Sequence, residues 1–126
     1  MNDIIFSLTV PGQLPSLKNR RRLVRNRKTG HALIIKSADC MKYEDLFLSH
    51  IPQSARMGYD GPVSLKARIY YQSRRSDLSV ELLYDLVAKA NIILNDRQIV
   101  HCECWKGLDR DNPRVHLTVK KWEDET

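Results

Sequence analysis

The sequence predicts an α+β fold, a single domain over residues 1–126 in which a mixed β-sheet carries two main helices packed on it. Three observations predict it. A length of 126 residues suits one domain and one core. Several stretches alternate apolar and polar residues with the period of a half-buried strand. Two others repeat at helical spacing and are interspersed among strands that short turns join, the mark of helices gathered on one face of a sheet. No internal repeat or linker divides the chain.

The elements follow in order. Ile4, Phe6, Leu8 and Val10 alternate with Ile5, Ser7 and Thr9, and Pro11-Gly12 stops this first strand. Arg20–Lys36 reads as a basic hairpin around Thr29-Gly30. Ser37 is a natural N-cap for a helix with Met41, Tyr43, Leu46, Phe47 and His50/Ile51 on its apolar side, ending before Pro52. Gln53–Pro62 is a loop. Val63, Leu65, Ala67, Ile69 and Tyr71 form the inner face of a long strand. After a polar turn over Gln72–Asp77, Ser79 is placed to cap a second helix facing the core with Leu82, Leu83, Leu86, Val87 and Ala90. Asn91 suits the left-handed position just past that helix. Asn95-Asp96 turns the chain, Ile99–Trp105 is a strand, Gly107–Pro113 a turn, and Val115, Leu117 and Val119 line a last strand. The acidic tail, residues 123–126, is expected to fray.

Composition narrows the function. The longest apolar run is Ala32–Ile35, far short of a membrane span, and the Met-Asn-Asp start has no basic stretch leading an apolar one. The expected setting is the cytoplasm. The three cysteines, Cys40, Cys102 and Cys104, read as free thiols in a reducing compartment. Net charge is +6, and its distribution matters more than its size. Residues 1–36 hold Lys18, Arg20, Arg21, Arg22, Arg25, Arg27, Lys28 and Lys36 against the single acid Asp3, while the other 90 residues balance to −1. Such a segment can neutralise phosphates and release their counterions. A solvated basic loop or an anchor for anionic lipid is the plainer alternative.

The candidate chemistry is carried by acids. Clustered carboxylates that hold Mg²⁺ activate water and neutralise charge developing on a phosphate. Asp77, Glu81, Asp85 and Asp96 are the candidates. On a continuous helix Asp77, Glu81 and Asp85 share a face, yet eight residues rise by about 12 Å, too far for one ion to touch both ends. Asp77 must curl back from its loop or Asp85 belongs to another layer of the site. The chain can return Asp96 toward Asp77. In the plainer reading these are surface acids, with Asp77 favoured by a helix dipole and Asp85 paired to Lys89. His101-Cys102-Glu103-Cys104 is a weak zinc candidate: both thiols share one strand face, His101 points the other way, and no second ligand pair follows. Both thiols are expected in the core, and Trp105 and Trp122 as core or interface anchors rather than base-stacking platforms.

Arg74-Arg75-Ser76-Asp77-Leu78, then Asp85, then Asn95-Asp96-Arg97-Gln98-Ile99-Val100 resemble the RusA family of crossover-junction endodeoxyribonucleases. Upstream, Leu14-Pro15-Ser16-Leu17-Lys18-Asn19-Arg20 and Ile35-Lys36-Ser37 followed by Tyr43 are similar to that family's first loop, short strand and first helix, so the resemblance spans about residues 5–121 in order. It implies a Mg²⁺-dependent homodimer, with Mn²⁺ as a substitute ion, that binds four-way (Holliday) junctions in DNA recombination and repair. Such a dimer nicks two strands symmetrically and leaves 5′-phosphates. It further implies Asp77, Asp85 and Asp96 as metal ligands, with Lys18, Asn19, Arg20, Arg21, Arg22, Arg25, Arg27, Lys28, Arg74 and Arg75 on DNA. One departure stands out: either Ser79 stands in the place of the family's second acid, or Asp77 takes that place and Arg75 the first, so that one carboxylate is missing either way and its role falls to Asp85 or Glu81. The alternative is a branched-DNA or other nucleic-acid-binding module of the same fold without a working metal site.

Overall fold

The structure, a computed structural model, describes residues 4–15, 21–25, 32–36, 38–74, 78 and 80–123, the two short basic strands by backbone alone. In order, these are β1 (Ile4–Pro11), β2 (Arg21–Arg25), β3 (Ala32–Lys36), α1 (Ala38–Ser49), β4 (Val63–Tyr71), α2 (Glu81–Lys89), β5 (Ile99–Leu108) and β6 (Arg114–Lys121). Short 3₁₀ turns lie at Gln53–Ala55 and Asp96–Gln98.

The main sheet runs β1-β6-β4-β5, with β1/β6 and β6/β4 antiparallel and β4/β5 parallel. A parallel neighbour cannot be reached by a tight turn, and α2 supplies the crossover between β4 and β5. The basic hairpin forms as expected, a separate two-stranded sheet pairing Arg21 with Lys36 and Arg25 with Ala32.

Strand alternation sorts the residues as the sequence reading expects. Val63, Leu65, Ala67 and Ile69 of β4 and Val115, Leu117 and Val119 of β6 are fully buried. They join Cys40, Tyr43 and Phe47 of α1 and Leu82, Leu83, Leu86 and Val87 of α2 in one core. At about 25 cal/mol per Å² of apolar surface, each such Leu or Val contributes roughly 1.5–3 kcal/mol, which is what sets the register.

Three expectations are corrected, and one buried charge is new. Met41 is 44% exposed, because the inward stripe of α1 runs Cys40, Tyr43, Glu44 and Phe47 and leaves Met41 a quarter-turn outside. Glu44 is buried at 6% exposure and accepts from Lys89 Nζ of α2 at 2.9 Å, so the carboxylate enters the interior with its counter-charge. The N-cap of α2 is Val80, with no side-chain cap, rather than Ser79, which lies outside the described residues. Strand β5 continues through Gly107 to Leu108, where it still pairs with Tyr71. Glycine is required there: the Tyr70 ring lies across the strand, and a Cβ on Gly107 would stand 2.5 Å from it.

The end of α2 follows the sequence reading. Asn91 takes φ 61°, a left-handed conformation, and its N–H donates to Ala88 while Ile92 N–H donates to Val87. This turns the chain abruptly toward β5. Among the described residues no helix is long and apolar enough to cross a membrane.

Candidate functional site

The Asn95–Gln98 turn is held by side-chain hydrogen bonds from both of its ends. Asn95 Oδ1 accepts from Arg97 N–H at 2.9 Å, capping the short 3₁₀ turn. Gln98 closes it from the other side: its Oε1 accepts from the N–H groups of Leu94 at 2.9 Å and Asn95 at 2.8 Å. Its Nε2 donates to the carbonyls of Tyr59 at 2.7 Å and Gly61 at 2.8 Å. A glutamine amide has two acceptor sites and two donor hydrogens, and all four are used. One neutral side chain thereby ties the turn to the loop preceding β4. Asp96 lies on this clamped backbone and is exposed.

The turn touches α2. Glu81, Asp85 and Lys89 form the exposed stripe of that helix, opposite the buried Leu82, Leu83, Leu86 and Val87. Lys89 turns its ammonium to Glu44, so the i+4 pairing with Asp85 weighed from the sequence gives way to a contact between helices. Asp85 is at the middle of α2, about 6 Å of rise from either end.

Parallel register fixes where the remaining residues lie. Val63 pairs with Ile99 and Tyr71 with Leu108, so Asp96 sits at the Val63 end. Arg74 lies beyond Tyr71, its carbonyl accepting from Lys106 Nζ at 2.9 Å, a strand length of roughly 26 Å away. Asp85 stands between the two ends. Asp77 and Arg75 lie outside the described residues, as do Lys18, Asn19, Arg20, Arg27 and Lys28. Arg21, Arg22 and Arg25 are on β2. Among the described residues no three His, Cys, Asp or Glu side chains are grouped as a metal site.

Both thiols of β5, expected in the core, are only half-buried. Cys102 and Cys104 pack on the inner face beside the core, and burial pushes the Cys104 thiol above its ordinary value, opposite to what a nucleophile needs. His101 points outward, its Nδ1 2.8 Å from Ser64 Oγ. The two tryptophans are not in the core: Trp105 is 39% and Trp122 38% exposed. Strand parity held that signal for Trp105, since two inward cysteines at 102 and 104 leave it facing outward. Spacing within Asn95–Val100 does not show that Gln98 is the clamp, because its partners at 59 and 61 come from a distant loop. Comparison with known protein families matches none of them, and no curated protein is significantly similar in sequence.

Proposed function

We propose that this chain is a Mg²⁺-dependent, RusA-like endodeoxyribonuclease that resolves four-way DNA junctions by paired nicks as a homodimer. The observation that carries the reading is the Asn95–Gln98 turn. It holds Asp96 outward on a backbone with no slack, against the helix whose exposed stripe bears Asp85. A divalent ion needs its oxygen ligands placed within a few tenths of an ångström, and a saturated clamp on the backbone supports such placement. Asp96 and Asp85 would hold the metal with Asp77 reaching in from its loop. The ion supplies an activated water and a counter-charge for the phosphate. The residues of the chain orient the ion, and the cationic segment 18–36 with Arg74 and Arg75 grips the backbone. Two protomers related by a twofold axis match the two cuts a junction requires.

Ser79 favours one second reading, a junction-binding module with no working metal site. A synthetic four-way junction assayed with Mg²⁺ and with Mn²⁺ separates the two. The nuclease reading expects paired nicks that Asp96→Asn abolishes while metal-free junction binding persists. Undiminished nicking by that variant would remove Asp96 from the mechanism. Binding without cleavage in either metal would select the module.

A further inference from the structure

Among the described residues the outer face of the four-stranded sheet carries no helix: α1 and α2 share the core on its other side. Its floor is low and polar, built from cross-strand pairs. Ser7 meets Thr118 at 3.2 Å, Thr9 meets His116 at 2.6 Å and Ser64 meets His101 at 2.8 Å. Above this floor stand the only two tryptophans of the chain, each more than a third exposed. Trp122 stacks on His101 with ring centroids 4.8 Å apart and planes 16° from parallel. Arg68 lies over Trp105 at 4.6 Å, and Lys66 approaches the same ring at 5.6 Å. Two flat, exposed indole rings on a face that no described helix covers are not explained by the core.

Charge decides what such a face takes. Arg114 is committed, bonded to Asp109 at 2.7 Å. Among the described residues no carboxylate pairs with Arg68 or Lys120. The acid on the floor itself, Glu103, makes only long contacts, 3.9 Å to Lys66 and 3.8 Å to His101. A second copy laid on this face would set like charges against each other, whereas a polyanion would meet them. Aromatic planes beside exposed cations are the two ingredients of a platform for unpaired bases and their phosphates.

We propose that the open sheet face binds single-stranded nucleic acid, Trp105 and Trp122 stacking on bases while Lys66, Arg68 and Lys120 hold phosphates. This goes beyond the nuclease reading and needs neither the acids nor a metal. Because both tryptophans lie on the face, selectively excited tryptophan emission reports on it alone. The full chain in EDTA is titrated with oligothymidylate of about 20 nucleotides, long enough for one site. The expected result is saturable quenching that weakens steeply from ~50 to ~200 mM salt. Arg68→Ala, which keeps both indoles and removes an exposed side chain, and Trp105→Ala are each expected to weaken binding about tenfold. Emission indifferent to the oligonucleotide, or both variants binding like the parent, overturns the proposal. So does emission that changes with protein concentration alone while Trp105→Ala dissociates a dimer in sedimentation, since the face is then a self-interface. Junction nicking without quenching would sink this inference alone, and quenching without nicking would sink only the nuclease reading.

Discussion

Gln98 and Asp109 organise the two ends of strand β5 by different physics. Gln98 is neutral, and each of its hydrogen-bonding positions meets a backbone group. Asp109 is charged. Its Oδ1 accepts from the N–H groups of Asp111 at 3.3 Å and Asn112 at 3.1 Å, and its Oδ2 pairs with Arg114 at 2.7 Å. The first end is indifferent to salt and pH and tolerates little displacement. The second depends on a charge that water and ions screen. A site that must position an ion gains from the first kind of support, and Asp96 stands on that end.

The largest effect tests whether the Gln98 end works with α2. Asp85→Asn is expected to lower Mg²⁺-dependent junction nicking on the order of 10³-fold, the several kcal/mol a metal supplies to a phosphoryl transition state. Metal-free junction affinity and the thermal midpoint should stay near the parent's, because Asp85 is exposed. Nicking rates that match the parent would detach α2 from the site and leave Asp96 to find its co-ligands elsewhere.

The comparison sharpens with Gln98→Glu, a change of one atom. The carboxylate still accepts from Leu94 and Asn95 but now faces the carbonyls of Tyr59 and Gly61, which lose their donor. Leaving such groups unsatisfied costs about 2–3 kcal/mol, read as a lower urea midpoint at unchanged slope. Since the turn carries Asp96, the Mg²⁺ concentration for half-maximal nicking should rise as well. Loss of stability with an unaltered metal requirement would make Gln98 a fold residue only.

How much of this was legible in the sequence depends on the distance over which each feature is decided. Alternation in β4 and β6 and the Leu82–Leu83–Leu86–Val87 stripe are local, and the residues named inward are buried. Asn91 past α2 is also local, a residue type that tolerates φ 61°. Glu44 was not legible because its burial depends on Lys89, forty-five positions away. The end of β5 was misjudged because Gly107 signals a turn in isolation, while the Tyr70 ring across the strand makes it a sheet position. For the candidate site, the acids stand out by type and order. The clamp that orients Asp96 does not, because a glutamine's four partners cannot be read from spacing.

A smaller effect at the Gln98 end is expected from Asn91→Ala. Asn91 delivers the chain from α2, and its carbonyl accepts from Gly58 N–H at 2.7 Å, bracing the loop that Gln98 also holds. Alanine at positive φ costs about 1 kcal/mol, whereas Asn91→Gly should be neutral or slightly stabilising. If both substitutions destabilise equally, the side chain rather than the backbone conformation is what matters.

The smallest effect belongs to the charged end. The Arg114 guanidinium beside Asp109, helped by the two backbone N–H groups, holds its carboxyl below the usual range. A carboxyl whose folded value is depressed contributes stability that is complete above its unfolded value, near 3.9, and is lost as pH falls through the folded value. Asp109→Asn keeps an acceptor for the backbone but no charge for Arg114. Its thermal midpoint should therefore fall slightly at neutral pH and converge on the parent's as the medium is acidified below about pH 4. Added salt should narrow the neutral-pH gap in the same direction, whereas it should leave the Gln98→Glu deficit in place. A gap that persisted in strong acid would assign the Asp109 turn to hydrogen-bond geometry instead of charge, and the two ends of β5 would then differ in degree and not in kind.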